Sequence, residues 1–151
     1  MEDVCMHLTN YAINKDNPKF VFNNSAKDMS KGHKRSLTWF FSYLDEQGID
    51  SEKLKIKIEE MIVKTMIAGL PAISTQYRSC QPENYASNMC FELLGFDVML
   101  TEKCEPVLLE INHTPSFSTD TPLDKHIKFN YIKDSLTLMN INERTKNAII
   151  K

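Results

Sequence analysis

Glu110 and Asn112 stand two positions apart in the run Leu108-Leu109-Glu110-Ile111-Asn112. A run of that composition reads as a β-strand, in which alternate side chains leave the same face. Asp97 lies in a second, mostly apolar run from Phe91 to Leu100, where an unpaired carboxylate is costly to bury. If Leu100 pairs with Val107 across the six residues Thr101 to Pro106, Asp97 falls opposite Glu110, with Cβ atoms about 4.5–5.5 Å apart. Two facing carboxylates repel. A hard divalent cation removes the repulsion, and carboxylates with an amide oxygen suit magnesium held beside nucleotide phosphates. The alternative is a satisfied pair of strand carboxylates, one of them protonated or bonded to Lys or Arg. Spacing alone leaves both open.

These residues have to be positioned by the elements around them. Strands are expected over Met89–Leu100 and Val107–Asn112, forming an antiparallel hairpin. Upstream, Leu37, Phe40, Phe41 and Leu44 recur at helical spacing within Lys34–Gln47, and Gly48 is placed to stop that helix. Asp50-Ser51-Glu52 offers a cap and acids for a second helix, with Leu54, Ile58, Met61, Ile62, Thr65 and Met66 on one face and Gly69 and Pro71 ending it. A last helix is expected over Leu123–Asn140. Residues 14–33 are rich in turn formers and predict a long loop with at most a short strand at Phe20-Val21-Phe22. Loops of that length in a compact domain tend to be functional.

The 151 residues suit one domain with an ordinary core. The 42 % hydrophobic and 25 % charged content is that of a globular chain. A net charge of −2 and a pI near 6.1 argue against a nucleic-acid binder. With no apolar run long enough for a signal peptide or a membrane span, the expectation is a cytoplasmic protein with no membrane partner. Cys5, Cys80, Cys90 and Cys104 form no CxxC pair and read as reduced, partly buried thiols. His7, His33, His113 and His126 are scattered, which does not suit zinc.

Three separated blocks, Met6–Lys15 (MHLTNYAINK), Cys90–Asp97 (CFELLGFD) and Leu108–Phe117 (LLEINHTPSF), resemble in order and spacing the signature blocks of the tubulin tyrosine ligase-like family. The similarity runs through nearly the whole chain, including Ile58–Thr65 and Thr119–Asp124. The resemblance implies an α/β fold: the C-terminal lobe of an ATP-grasp fold, an antiparallel sheet with packed helices. Residues 1–151 are then the C-terminal part of such a domain, without its N-terminal lobe, so the isolated chain is expected to be inactive and to bind magnesium and ATP weakly. It further implies Asp97, Glu110 and Asn112 as magnesium ligands and ATP as cosubstrate. The implied reaction activates a carboxylate as an acyl phosphate that an amine attacks, and needs no catalytic side chain beyond the metal ligands. Thr9 and Asn10 are implied to line the nucleotide, and Tyr11 and Lys15 the amino-acid substrate. Without the resemblance, Thr9-Asn10-Tyr11 reads as strand or turn.

The block His113–Asp120 is closer to the glutamate-adding, polyglutamylase branch than to the tyrosine ligase itself. The implied partners are glutamate and the acidic C-terminal tail of tubulin, and the implied location is the cytoskeleton or a cilium or flagellum. Lys27, Lys31, Lys34 and Arg35, against the single acid Asp28, form a basic stretch suited to steer such a tail; an ordinary solvated loop explains it equally. The competing function is a non-catalytic tubulin-binding module or an inactive fragment.

Overall fold

The computed structural model describes residues 7, 10–25, 30–83 and 90–139. They form α1 (Tyr11–Asn14), α2 (Leu37–Glu46), α3 (Ser51–Cys80), β1 (Gly95–Leu100), β2 (Pro106–Asn112) and α4 (Pro122–Met139). The class is α/β with an antiparallel pair of strands, as expected. The chain divides into two compact units, one of residues 1–41 with 117–151 and one of residues 42–116.

In the unit of residues 42–116, α2 ends as its sequence dictates. Gly48 adopts φ +78, its N–H donates to the Asp45 carbonyl at 3.0 Å, and the Ile49 N–H donates to the Leu44 carbonyl at 2.9 Å. This paired pattern closes the helix and needs a residue tolerant of left-handed backbone. Asp50 then caps α3 by accepting from the Lys53 N–H at 2.9 Å. Asp45 accepts from both the Ser51 N–H and the Ser51 hydroxyl, at 3.0 and 2.9 Å, which fastens the end of α2 to the start of α3.

The expected stop at Gly69 and Pro71 does not occur. α3 runs on to Cys80, a length of about 45 Å at the α-helical rise. Pro71 has no N–H to give, which costs one rung of the helix. The turns beyond it are held by ordinary backbone bonds, and the Thr75 and Ser79 hydroxyls return to the Pro71 and Thr75 carbonyls at 2.8 and 2.9 Å. Proline interrupts one bond in a helix and cannot forbid the turns that follow it. The apolar core is also smaller than expected. Among the described residues only Leu44, Leu54 and Leu123 are buried apolar side chains, while Ile56, Val63, Ile67, Leu70 and Ile73 of α3 are exposed.

β1 is shorter than the expected Met89–Leu100 strand. Gly95 pairs with Asn112, the last residue of β2, so residues 90–94 have no strand to bond. α3 packs on β2, and the Lys57 ammonium bonds the Glu105 carboxylate in the hairpin turn at 2.5 Å.

In the unit of residues 1–41 and 117–151, α4 opens with a reciprocal cap. The Asp124 N–H donates to the Thr121 hydroxyl at 3.1 Å, and the Thr121 N–H donates back to the Asp124 carboxylate at 3.2 Å. Pro122 occupies the first helical position, where its missing N–H costs nothing. α2 starts with a one-sided cap, the Ser36 hydroxyl accepting from the Trp39 N–H at 3.0 Å.

The segment after α1 is irregular, and no strand forms at Phe20–Phe22. Val21 finds a partner by another route. Its carbonyl accepts from the His33 N–H at 3.0 Å, and its N–H donates to His33 Nδ1 at 2.9 Å, a side chain standing in for the second backbone rung. Gly32 makes this approach possible. It has φ +81, and a Cβ there would lie 2.8 Å from the Val21 carbonyl oxygen.

Candidate functional site

The β1–β2 hairpin brings Asp97 and Glu110 into register as Cα partners, but not from the expected anchor. Leu100 pairs with Pro106 instead of Val107, Val98 pairs with Leu108, and Leu109 is left without a partner before Asp97 meets Glu110. The turn closes one residue early because Thr101 organises it. Thr101 accepts from the Cys104 N–H through its carbonyl at 2.9 Å and from the Glu105 N–H through its hydroxyl at 3.1 Å. Cys104 takes a left-handed φ of 56.

The unpaired Leu109 is a β-bulge, which compensates the early closure and re-aims the side chains beyond it. In an unbroken strand Leu108, Glu110 and Asn112 would share a face. With the bulge, Leu108 lies with Val98 on the half-buried face, and Glu110 lies with Asp97 on the exposed one. The hairpin therefore half-buries Leu108 with Val98 and presents its two carboxylates on the other face, while Met99, Val107, Leu109 and Ile111 are exposed.

Asn112 joins them. Its amide nitrogen donates to Glu110 Oε1 at 3.2 Å, leaving Oδ1 outside that bond. Gly95 stands opposite Asn112 in the ladder, and a Cβ on Gly95 would meet Pro115 Cβ at 3.3 Å and Asn112 Cβ at 3.7 Å. A glycine inside a strand marks close approach, and that signal was present in Gly95-Phe96-Asp97. The Asp97 carboxyl is raised above its ordinary range by partial desolvation and by the Glu110 carboxylate beside it, through hydrogen bonding and repulsion. Every one of these influences disfavours the charged form, and the charge of a divalent cation would offset them. Among the described residues no three His, Cys, Asp or Glu side chains gather as a metal cluster. A cation here would rest on two carboxylates and one amide oxygen, an all-oxygen set that fits magnesium with retained water.

Thr9, implied with Asn10 as a nucleotide contact, lies outside the described residues. Asn10 precedes α1 and caps it only through its carbonyl, which accepts from the Ile13 and Asn14 N–H groups at 3.1 and 3.0 Å; its side chain makes no capping bond and is exposed. Residues 11–14 form a single helical turn, and of the two local readings, strand or turn, the strand is not found there. Lys15 closes it, exposed, with its N–H on the Tyr11 carbonyl at 2.9 Å. Tyr11 is heavily engaged. The Lys34 ammonium sits 3.5 Å from its ring centroid, and Phe20 meets it edge-on at 5.9 Å. Its phenol is raised by desolvation and by a hydrogen bond to Asp120, with the charges of Asp120, Asp124 and Asp16 adding to the effect.

Part of the basic stretch is spent on the protein itself. Lys34 bonds both Asp124 oxygens at 3.3 Å. The Arg35 guanidinium lies 4.3 Å over the Trp39 ring and donates to the Gly32 carbonyl at 3.1 Å. Lys27 and Asp28 lie outside the described residues. Cys80 and Cys90 are exposed and only Cys104 is half-buried, so the expected partial burial holds for one of the three; Cys5 lies outside the described residues. No described helix is long and apolar enough to cross a membrane.

The model of the tubulin-tyrosine ligase family matches residues 1–148. The chain belongs to that family. The mixed helices and two-stranded antiparallel sheet fit a piece of a tubulin-tyrosine ligase domain. Over 150 residues the chain is 56 % identical to a protein of Tetrahymena thermophila named a probable beta-tubulin polyglutamylase, covering 99 % of this chain and 13 % of that protein. It is 42 % identical over 151 residues to the Mus musculus tubulin polyglutamylase TTLL6 and 41 % identical to the Homo sapiens TTLL6, covering 100 % of this chain in both and 18 % and 16 % of those proteins. The chain thus spans only 13 to 18 % of the length of these tubulin-tyrosine ligase relatives.

Proposed function

We propose that this chain carries the metal-binding hairpin of an ATP- and magnesium-dependent ligase that adds glutamate to tubulin. The observation that carries the reading is the pairing of Asp97 with Glu110 on the open face of the hairpin, with Asn112 bonded to Glu110. Three relatives named as tubulin polyglutamylases support the acceptor and the amino acid. In this reading residues 1–151 form part of the C-terminal lobe of an ATP-grasp domain.

Asp97 and Glu110 supply the anionic ligands, and Asn112 contributes its amide oxygen while its nitrogen orients Glu110. Magnesium, when bound, neutralises charge on a phosphoryl group passing from ATP to the substrate carboxylate. Asn10, with Thr9, contacts the nucleotide through its uncommitted amide. Lys15 offers an exposed ammonium to the carboxylates of the incoming glutamate. The acidic C-terminal tail of tubulin is the acceptor, which associates the protein with the cytoskeleton, including that of a cilium or flagellum.

The test is Glu110→Gln in the full-length protein, read by glutamate incorporation into tubulin and by thermal midpoint. Gln keeps the shape and removes the charge. Incorporation is expected to vanish while the midpoint holds or rises. A stabilised variant with wild-type turnover would mean that Glu110 is an unligated strand carboxylate, and would overturn the reading.

A further inference from the structure

We propose that Tyr11 is a positioning residue and not a contact for the amino-acid substrate, and that Lys34, held between the Tyr11 ring and Asp124, is the group that fixes it. The inference rests on the ligase reading for what is positioned, namely the segment ending in Asn10 that is taken to line the nucleotide.

Partners are placed at one ring face and one edge of Tyr11. One ring face is covered by the Lys34 ammonium at 3.5 Å, well inside the roughly 6 Å at which a cation and an aromatic face attract. The edge is met by Phe20 at 5.9 Å and 61°. Phe20 is itself stacked on His33 at 4.8 Å, and His33 is tied to Val21 through both backbone and ring. The Asp120 carboxylate is near enough to the hydroxyl to raise its pKa. The ammonium on the ring face and the ring at its edge hold Tyr11 from within the protein.

Lys34 is placed to be the fastener. Its side chain retains 32 % of its exposure and that of Asp124 only 11 %, so the pair is partly withdrawn from water and worth more than a surface ion pair. Asp124 is in turn fixed by the Thr121 hydroxyl at 2.9 Å and by the Thr121 N–H at 3.2 Å. The first turn of α4 is thereby joined through one ammonium to the first residue of α1. Asn10 immediately precedes that residue, so the clamp on the Tyr11 ring restrains the backbone that carries the Asn10 amide. Such displacement costs rate without removing a substrate contact.

The test is a double-mutant cycle in the full-length protein with Lys34→Met and Tyr11→Ala, plus Lys34→Arg, read by thermal unfolding and by kcat and KM for glutamate. Each single variant is expected to lower kcat about tenfold while leaving KM for glutamate within about twofold. The double variant should be no worse than the poorer single, because the two residues act as a unit. Arg can both stack on the ring and pair with Asp124, so Lys34→Arg should recover most of kcat.

A KM for glutamate raised about tenfold by Tyr11→Ala would make Tyr11 a substrate contact and overturn the inference. Effects that multiply in the double variant would overturn it equally, as would a kcat per folded molecule untouched by Lys34→Met. If Tyr11→Ala does not fold, Tyr11→Phe decides: a substrate-bound phenol predicts the same rise in KM, a clamped ring does not. The unfolding cycle must show coupling between positions 11 and 34 whether or not ligation occurs. Its absence therefore ends this inference alone, whereas wild-type turnover in Glu110→Gln ends the metal-hairpin reading alone.

Discussion

Asp97 faces Glu110 because Leu109 stands outside the ladder between β1 and β2. The early turn at Thr101–Glu105 shifts the pairing by one residue, and the bulge shifts it back. Between them the two irregularities separate Leu108 from Glu110, so that these two side chains turn to opposite faces of the hairpin.

This arrangement sets two like charges against each other. In the absence of divalent cations, Asp97→Asn is expected to stabilise the protein by about 0.2–1 kcal/mol, the range for charges opposed across a strand pair. The sign with pH follows from the raised Asp97 carboxyl. A carboxyl whose folded pKa exceeds its unfolded value adds stability below the unfolded pKa, and that stability is lost as pH rises through the folded pKa. The gap between Asp97→Asn and the wild type should therefore widen from acid to neutral pH. Chemical denaturation at a series of pH values measures it, and a gap independent of pH would contradict the coupling.

Magnesium should reverse the ranking. A ligand that binds only the folded state raises its stability in proportion to the logarithm of its concentration. The wild type is expected to gain thermal midpoint across a magnesium titration, and Asp97→Asn to gain none. Equal gains in both would place the bound ion elsewhere.

Gly32→Ala tests the irregular segment beyond α1. The added Cβ meets the Val21 carbonyl oxygen at 2.8 Å and the Asn23 nitrogen at 2.9 Å, at a φ of +81. Backbone offers no flexible end to move aside, and the expected loss is about 1–3 kcal/mol. A midpoint unchanged from wild type would show that the Val21–His33 pairing contributes nothing.

Thr121→Ala removes the cap of α4 and one of the bonds that hold Asp124 toward Lys34. The cap alone is worth about 0.5–2 kcal/mol, and a larger loss in equilibrium unfolding would report the added loosening of the Lys34–Asp124 pair.

Cys104→Gly is expected to go the other way. A left-handed non-glycine residue carries about 1–2 kcal/mol of strain, partly offset by the greater freedom of glycine in the unfolded chain. A net gain of about 0.5–1 kcal/mol should appear in denaturant midpoints.

Local chemistry was sufficient for the parts that depend on near neighbours. Gly48 ending α2, Asp50 capping α3, the final helix from residue 122 and the antiparallel hairpin all follow from periodicity, caps and turn residues within a few positions of each other. The facing of Asp97 and Glu110 was also legible, since strand alternation and a short loop leave few registers. The route to it was not. A bulge at Leu109 balances an early turn against the burial of Leu108 with Val98, and neither cost is visible in β2 alone. Pro71 reads as a stop because it removes a hydrogen bond, yet whether a helix resumes depends on the turns beyond it. The surroundings of Tyr11 lay furthest from view. Lys34 and Asp124 are 90 positions apart, and only the fold sets one ammonium against an aromatic ring and a capping carboxylate at once, because attraction between such groups is decided by distance in space and not along the chain.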